Sequence, residues 1–255
     1  MYLGDTIMPE ELKINEYIKN VFRNRVKENI SYGSHKSDGK FHVSSIVYGC
    51  PRKLYFEYKY GPKTVINNDN EMFRIWVGMM LHETKITDFH EFNIEKKYDD
   101  FIISGTIDEI LEKGDKRYII DKKFVLVPPN EMYDHHRKQV MYYAYLLRET
   151  KGITVNGIAL LYFRTGSVYI NQSGHKVSGV SIDNIGSSDH VFVFAEEITD
   201  DDITRYGKEM ESVVSLAIKG IKENRVPDKK ESWYCDYCAF KEICKYGDAF
   251  GSNIF

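Results

Sequence analysis

The sequence predicts a mixed α/β fold with a helical N-terminal region, a mixed central sheet and a cysteine-rich C-terminal segment. Three observations predict it. Apolar residues recur at helical spacing early in the chain, strand-like segments cluster between residues 92 and 125, and three cysteines fall close together near the end. We therefore expect three regions, namely helical residues 1–90, a core at residues 91–197, and a final helix with a cysteine-rich tail at residues 198–255.

Three helices are predicted before the sheet, at residues 9–30, 44–58 and 71–89. The first has apolar residues three and four apart, and a loop rich in glycine and serine follows it at residues 31–39. Ser44 or Ser45 is expected to cap the second helix, and Pro51 falls in its early part, where proline is tolerated best. The N-terminal third is therefore expected to be mostly helical.

Five strands are predicted, at residues 92–98, 101–112, 117–125, 158–164 and 191–194. The turn Lys113-Gly114-Asp115 joins the second strand to the third. A long helix is predicted at residues 131–150, and a polar stretch at residues 165–190 separates the last two strands. A final helix at residues 200–224 then leads into the cysteine-rich tail.

The composition is that of an ordinary globular protein, with 42% apolar and 29% charged residues. No apolar run approaches the roughly 18 residues that a bilayer-spanning helix needs, so no membrane association is expected. The N-terminus lacks the basic flank and apolar stretch of a signal peptide, which predicts a cytoplasmic location. Because the net charge is −3, any contact with nucleic acid must come from local patches of positive charge.

The segment with the most chemical information runs from Gly105 to Tyr143. Asp108 lies near the end of one predicted strand, and Asp121 and Lys123 lie two apart on the next, so the last two project from the same face. A solvated strand edge would explain such residues if the segment stood alone. However, both aspartates interrupt apolar runs, where an unpartnered carboxylate is costly.

Two carboxylates and a lysine in this arrangement predict a divalent-cation site for phosphodiester cleavage. Carboxylate oxygens suit Mg²⁺ or Mn²⁺, and such an ion would lower the pKa of a bound water. Lys123 would stabilise the phosphate or orient the attacking water.

The order of these residues resembles the core of the PD-(D/E)XK nucleases, which have a restriction-endonuclease-like fold, in their RecB-like branch. The resemblance rests on Asp108, on Asp121-x-Lys123, and on a helix that carries Gln139 and Tyr143. It implies that His82, in the segment GMMLHE, completes the metal shell, and that Gln139 and Tyr143 position DNA and water beside the lysine. Many relatives have glutamate at the position of Asp121, and the shorter side chain would alter the geometry around the metal.

The chain has four cysteines, Cys50, Cys235, Cys238 and Cys244. In a cytosolic protein, clustered cysteines indicate metal ligands before disulfides. A structural zinc ribbon usually has two close pairs, whereas here one distant cysteine accompanies a triplet with the spacing C-x2-C-x5-C. Ligation of a [4Fe–4S] cluster fits the count of four thiolates, although spacing alone does not choose iron over zinc.

This arrangement, with one cysteine before the core and three after it, is similar to that of the iron–sulfur nucleases of the RecB-like branch. A chain of this length, with CPRKLYFEY around Cys50, looks most like the CRISPR-associated Cas-four family over residues 44–245. The resemblance implies single-stranded DNA exonuclease or endonuclease activity with Mn²⁺ or Mg²⁺. It also implies partnership with the Cas-one integrase in spacer acquisition. Viral and mobile-element relatives share these motifs, and the oligomeric state is left open.

Basic and aromatic side chains alternate around Cys50. Arg52 and Lys53 are predicted to contact DNA, because basic residues beside aromatic ones suit a single strand whose bases can stack. On a helix, however, about half of the aromatic residues here should simply belong to the core. The aromatic residues that follow Cys50 here are Tyr55, Phe56, Tyr58 and Tyr60.

Two functions of other classes compete with a nuclease. A cleavage-inactive nucleic-acid-binding scaffold could retain the same fold, but the complete set of site residues argues against a decayed active site. A redox or electron-transfer protein could use the cluster, but the chain has no second cluster motif and no glycine-rich loop that would bind a flavin or nicotinamide. A metal-dependent nuclease is therefore the expected function.

Overall fold

The computed structural model describes residues 24, 39–61, 69–125, 127, 129–164, 167–170, 176–179 and 191–250. The predicted helix at residues 9–30 and the loop after it lie outside this part, apart from Asn24 and Gly39. The elements in chain order are β1 (Lys40–His42), α1 (Val43–Ile46), α2 (Pro51–Tyr60), α3 (Asp69–Glu83), β2 (Phe89–Lys97), β3 (Ile102–Lys113), β4 (Lys116–Val125), α4 (Asp134–Lys151), β5 (Gly157–Arg164), β6 (Ser167–Ile170), β7 (Lys176–Gly179), β8 (Val191–Glu197), α5 (Asp200–Lys222), a 3₁₀ helix (Trp233–Tyr237) and α6 (Lys241–Phe250).

Six strands form one mixed sheet in the order β1-β3-β4-β5-β8, with β2 also paired to β3. β3 is antiparallel to β2 and β4, whereas β5 is parallel to β4 and antiparallel to β8. α4 connects β4 to β5, as a parallel pair requires a crossover. β6 and β7 form a separate hairpin. The predicted mixed α/β class is therefore confirmed.

The core lies around α4, which packs between the sheet and α5. Residues 140–147 of α4 are all buried, because the sheet covers one side of the helix and α5 covers the other. The core continues from Phe41 in β1 to Ile218 in α5, so its contacts cross both of the expected region boundaries. The division of the chain into three regions stays a prediction.

The prediction of one helix at residues 44–58 is wrong, because the structure has two helices there with a break between them. Gly49, at φ +64°, lies in the break, and Cys50 is extended (φ −105°, ψ 106°), as the residue before a proline prefers. Pro51 is the first residue of α2, where its missing N–H costs no helical hydrogen bond. The break places Cys50 at the N-cap of α2.

Other boundaries differ by a few residues. α3 ends at Glu83 rather than near residue 89, because Phe89 already begins β2. The polar stretch predicted at residues 165–190 contains the hairpin strands β6 and β7, and β1 is too short for a strand pattern to show in the sequence. Among the helices in the described ranges, none combines the length and apolar composition needed to cross a bilayer.

Candidate active site

The two predicted aspartates meet where β3 and β4 separate. The antiparallel pairing of these strands ends at Glu109 and Ile120, and the same register places Asp108 opposite Asp121. The backbone N–H of Lys122 donates to Asp108 Oδ2 over 2.8 Å. Both carboxylates are buried, with exposed fractions of 6% for Asp108 and 1% for Asp121. We call this place the strand fork.

His82 reaches the strand fork from the last turn of α3. Its Nδ1 lies 3.0 Å from Asp108 Oδ1 and donates to it, and its side chain is partly exposed. Burial alone would raise the pKa of Asp108, but the hydrogen bond and charge of His82, together with the charge of Lys123, hold that pKa below its ordinary value. Asp108 is therefore ionised at neutral pH, as a metal ligand must be.

Asp121 is the more deeply buried carboxylate. Neither of its oxygens has an aligned hydrogen-bond partner, although Lys123 Nζ lies 2.6 Å from Oδ2 as an ion pair. Burial raises the pKa of Asp121 to about 6, with the nearby charge of Asp108 adding to the rise and Lys123 opposing it. A buried carboxylate with so few donors is costly unless a cation compensates it.

Gln139 and Tyr143 approach the strand fork from α4. Gln139 Nε2 donates to the Tyr143 hydroxyl over 2.8 Å, as residues four apart on one helical face allow. Burial and the nearby charge of Asp121 raise the pKa of Tyr143 well above its ordinary value, so its hydroxyl stays protonated. A Cβ at Gly105 of β3 would lie 2.5 Å from the Tyr143 ring, so only glycine permits this approach.

One cleft of about 700 Å³ joins the predicted site residues. Five of them line it, namely His82, Asp108, Lys123, Gln139 and Tyr143. Asp121 is too buried to line the cleft, but it contacts Lys123, which does. All six predicted residues of the metal and catalytic set are thus brought to one place.

A buried ion pair that the sequence analysis did not identify holds the segment after α3 in place. The side chains of Lys122 and Glu109 are fully buried, with Nζ and Oε1 3.0 Å apart. Lys122 Nζ also donates to the carbonyl oxygens of His82 and Thr84, at 3.3 and 2.6 Å. Glu109 accepts from the hydroxyl and the backbone N–H of Thr87. The chain that carries His82 is thereby tied to the strands that carry the aspartates.

β2 contributes two further residues that the sequence analysis left without a role. His90 Nε2 donates to the carbonyl oxygen of His82 over 2.6 Å. Glu91 lines the cleft and has φ of +50°, a region that non-glycine residues rarely adopt. Its neighbours on both sides pair with β3, so Glu91 lies across from Asp108. A third carboxylate therefore borders the site.

The four cysteines converge although Cys50 is far from the other three in sequence. All four are free thiols and line one pocket of about 260 Å³. Phe56 of α2 packs on Phe240, with ring centroids 5.7 Å apart, which holds the two chain segments together. Burial raises the pKa of the Cys238 thiol.

Arg52 and Lys53 are buried, with exposed fractions of 8% and 6%, which does not support the DNA contacts predicted for them. Arg52 donates to the carbonyl oxygen of Pro227 over 2.8 Å, and its Nη1 lies 3.5 Å from Cys244 Sγ. Lys53 pairs with Glu57 at 2.6 Å. Both cations therefore pair with groups of the protein itself. The side of α2 that carries Arg52 packs against the C-terminal tail.

As they stand, no three histidine, cysteine, aspartate or glutamate side chains within the described ranges are positioned to hold a metal ion. At the strand fork, His82 is bonded to Asp108 and Lys123 to Asp121. The donor chemistry nevertheless fits a divalent cation, because an imidazole and two buried carboxylates meet there and neither oxygen of Asp121 has an aligned hydrogen-bond partner. Likewise, four thiols lining one pocket fit a thiophilic metal.

Comparison with known proteins identifies related sequences and folds. The sequence pattern of the PD-(D/E)XK nuclease superfamily matches residues 71–245, which is more than half of the chain. The crystal structure of SSO0001 is similar, with a TM-score of 0.52 and 17% identity over 90% of this chain and 97% of that one. A phage-related exonuclease from Haemophilus somnus 129PT gives a TM-score of 0.41 and 12% identity over 68% of this chain and 81% of that one. No curated protein matches with significance.

Proposed function

The chain belongs to the PD-(D/E)XK nuclease superfamily, and from this premise we propose that it is a metal-dependent deoxyribonuclease that cuts single-stranded DNA. The observation that carries the proposal is the strand fork, where His82, two buried aspartates and Lys123 meet at the edge of one cleft. The cleft of about 700 Å³ gives a sugar–phosphate backbone access to Asp108 and Lys123, and Asp121 lies behind Lys123.

The metal ligands in this proposal are His82, Asp108 and Asp121. A bound Mn²⁺ or Mg²⁺ would neutralise charge on the scissile phosphate and lower the pKa of a water molecule. The hydrogen bond from Lys122 N–H to Asp108 Oδ2 fixes that carboxylate, and the ionised state of Asp108 is maintained by its cationic neighbours. Cation binding would exchange the contacts of His82 with Asp108 and of Lys123 with Asp121 for contacts with the metal, while the bond from Lys122 N–H keeps Asp108 in place.

Lys123 is the proposed catalytic cation. Its ammonium lies in the cleft, 2.6 Å from Asp121 Oδ2, and so can donate to a phosphate oxygen or to the attacking water while Asp121 orients it. Gln139 and the protonated Tyr143 hydroxyl would hold the strand or the water beside it. These roles come from the family resemblance and agree with the contacts of each side chain.

The four cysteines are proposed to hold a [4Fe–4S] cluster that links α2 to the C-terminal tail. The support is that Cys50, Cys235, Cys238 and Cys244 line one pocket. Ligand binding by residues so distant in sequence would add to folding stability, because the unfolded chain cannot form such a site. The cluster is assigned no step in cleavage.

The biological setting proposed is that of the Cas-four family. A nuclease with this arrangement of cysteines would trim DNA ends for the Cas-one integrase in CRISPR spacer acquisition, or would act for a virus or mobile element. The resemblance in the sequence motifs supports this setting, and the chemistry of the strand fork is the same in either.

The test is cleavage of single-stranded DNA labelled at either end, by protein purified without oxygen and supplied with Mn²⁺. Wild type should cut, and Lys123→Ala should lose at least about a hundredfold in rate. Lys116→Ala is the matched control, because Lys116 lies on the same strand but is exposed and paired with Glu197. Absence of cleavage by cluster-loaded wild type would favour the scaffold function instead.

A further inference from the structure

A continuous group of aromatic side chains lies where the start of α4 meets the 3₁₀ helix of the C-terminal tail. We call this group the aromatic platform, and it consists of Tyr48, Tyr133, His135, Trp233, Tyr234 and Tyr237. Tyr48 stacks on Tyr234 with ring centroids 3.6 Å apart, and His135 lies 5.2 Å from Trp233. Tyr237 extends the group, at 6.2 Å from Trp233.

The outer rings of the platform are open to solvent. Trp233 is 60% exposed, Tyr237 is 71% exposed and Tyr133 is 41% exposed. Beneath Trp233, Tyr48 and Tyr234 are half-buried and stacked, with ring centroids 6.3 and 5.8 Å from the Trp233 ring, so Trp233 rests on a packed pair of rings. Large aromatic side chains exposed together, rather than singly, mark a binding surface.

The platform is continuous with the proposed active site. Tyr133 packs edge-on against Tyr162 at 5.9 Å, and the Tyr162 hydroxyl also bonds to His136. Tyr162 is also the register partner of Lys123 in the pairing of β4 with β5. Burial, together with the charge of Lys123, lowers the pKa values of His135 and His136. The inner end of the platform therefore lies beside the cation that faces the cleft.

The charges around the platform are mostly paired, which argues against a phosphate-binding patch there. Lys241 lies 2.8 Å from Asp236, and Lys229 lies 2.9 Å from Glu231. A ligand at this surface would thus be recognised by the flat faces of the rings rather than by charge. Nucleobases offer such faces, and they are accessible only where the strand is unpaired.

We propose that the aromatic platform stacks the unpaired bases of a single DNA strand whose backbone enters the cleft at Lys123. The inference rests on the proposed function, because it takes the cleft as the place where the strand is cut. It adds a base-binding surface, formed by the outer rings Trp233, Tyr237 and Tyr133, outside the metal and catalytic set. The neutral imidazole of His135 completes the inner part of that surface.

The chain allows a direct test, because Trp233 and Trp76 are its two tryptophans. In a Trp76→Phe protein without added divalent cation, fluorescence reports Trp233 alone and the metal-dependent cleavage does not consume the strand. Oligothymidylate should quench this fluorescence. An abasic oligonucleotide of equal length, which keeps the phosphates but lacks the bases, should not, and a blunt duplex should quench much less.

Substitutions then locate the bases on the surface. With a labelled oligothymidylate, Trp233→Leu and Tyr237→Leu should each weaken binding by about tenfold, as loss of one stacking partner does. Tyr60→Ala, which removes a ring that is 42% exposed on α2, is the matched control and should bind as wild type. Tyr237→Leu guards against misfolding near Trp233, because Tyr237 is the most exposed of the three outer rings.

The proposal would be overturned if the abasic strand bound as tightly as oligothymidylate, or if Tyr60→Ala and Tyr237→Leu lost affinity equally. A protein partner would then be the expected ligand of this surface. None of these titrations requires cleavage. Base-dependent quenching of Trp233 in the Trp76→Phe protein, together with a wild type that never cuts DNA, would uphold the platform and refute the nuclease. Conversely, cleavage unaffected by the loss of Trp233 and Tyr237 would refute the platform alone.

Discussion

Lys122 Nζ lies 3.0 Å from Glu109 Oε1, and both side chains are fully buried behind the strand fork. The pair joins the two strands that carry Asp108 and Asp121 to the segment that follows α3. Because Lys122 also donates to the carbonyl oxygen of His82, the proposed metal ligands are held on one framework. His82 is therefore positioned by residues that do not line the cleft.

Breaking this pair on one side should be costly. Lys122→Met leaves the Glu109 carboxylate buried without its cation, and we expect a loss of about 3–5 kcal/mol in the free energy of unfolding. The double variant Lys122→Met, Glu109→Gln removes both charges and should recover part of that loss. Urea unfolding of the three proteins measures the difference. Equal stability of the single variant and wild type would contradict a structural role for the pair.

A second prediction concerns the glycine against which Tyr143 packs. Gly105→Ala introduces a Cβ 2.5 Å from the Tyr143 ring, which must then move together with its hydroxyl. Overpacking of this kind costs about 1–3 kcal/mol in stability, and a displacement of about 1 Å at an active site can lower the rate about a hundredfold. We therefore expect Gly105→Ala to stay folded and to cleave DNA about a hundredfold more slowly than wild type.

Gly78→Ala is the control for that variant. Gly78 lies in α3, and nothing is within 4 Å of the position that its Cβ would occupy. Alanine is the better helix former by about 1 kcal/mol, so this variant should be as stable as wild type or more stable, with unchanged cleavage. Single-turnover rates and thermal unfolding of both variants test the pair. Normal cleavage by Gly105→Ala would mean that Tyr143 has no role in positioning.

The aspartates and the lysine at the strand fork were predictable because each leaves a local trace. Asp108 and Asp121 interrupt apolar strands, and the two-residue period of a strand puts Lys123 beside Asp121. Each of these signals can be read from residues that are adjacent in the sequence. The position of His82 came from the family resemblance, because a single histidine on a helix carries no such trace.

Lys122 and Glu109 could not be predicted in the same way. The alternation that places Asp121 and Lys123 on one face puts Lys122 on the other, which a sequence pattern describes as solvent-exposed. The segment between α3 and β2 covers that face, with Lys122 donating to the Thr84 carbonyl oxygen. Such burial depends on chain segments that meet only in the folded protein. The aromatic platform escaped notice for the same reason, since its members are far apart in sequence.

The third prediction addresses the cysteines. Cys50→Ser and Cys238→Ser should each abolish the bound iron and acid-labile sulfide and lower the melting temperature, because the cluster stabilises only the folded state. Wild type purified without oxygen should contain four iron atoms per chain if it holds one [4Fe–4S] cluster. Stoichiometric zinc with no iron would contradict the cluster and retain a thiolate site. A stable wild type that contains no iron or zinc and is fully active with added Mn²⁺ would contradict both.

The fourth prediction concerns the stability of the protein in acid. Burial, together with the charges of Lys123 and His135, lowers the pKa of His136 to about 2. An imidazole in the unfolded chain titrates near 6.5, so below that pH the unfolded chain binds a proton that the folded chain excludes. Stability that is complete above about pH 6.5 is therefore lost progressively as the pH falls towards the folded-state value, by up to about 1.4 kcal/mol per pH unit.

His136→Asn isolates this contribution, because asparagine does not titrate and can still bond to the Tyr162 hydroxyl that His136 contacts at 3.1 Å. Unfolding measured by urea between about pH 5 and 7.5 should show a shallower loss of stability in the variant than in wild type. The difference between the two proteins above pH 7 reports altered packing only, and so serves as the baseline. Parallel pH profiles would mean that His136 takes up its proton in the folded protein as readily as in the unfolded chain, and that acid destabilisation arises from other groups.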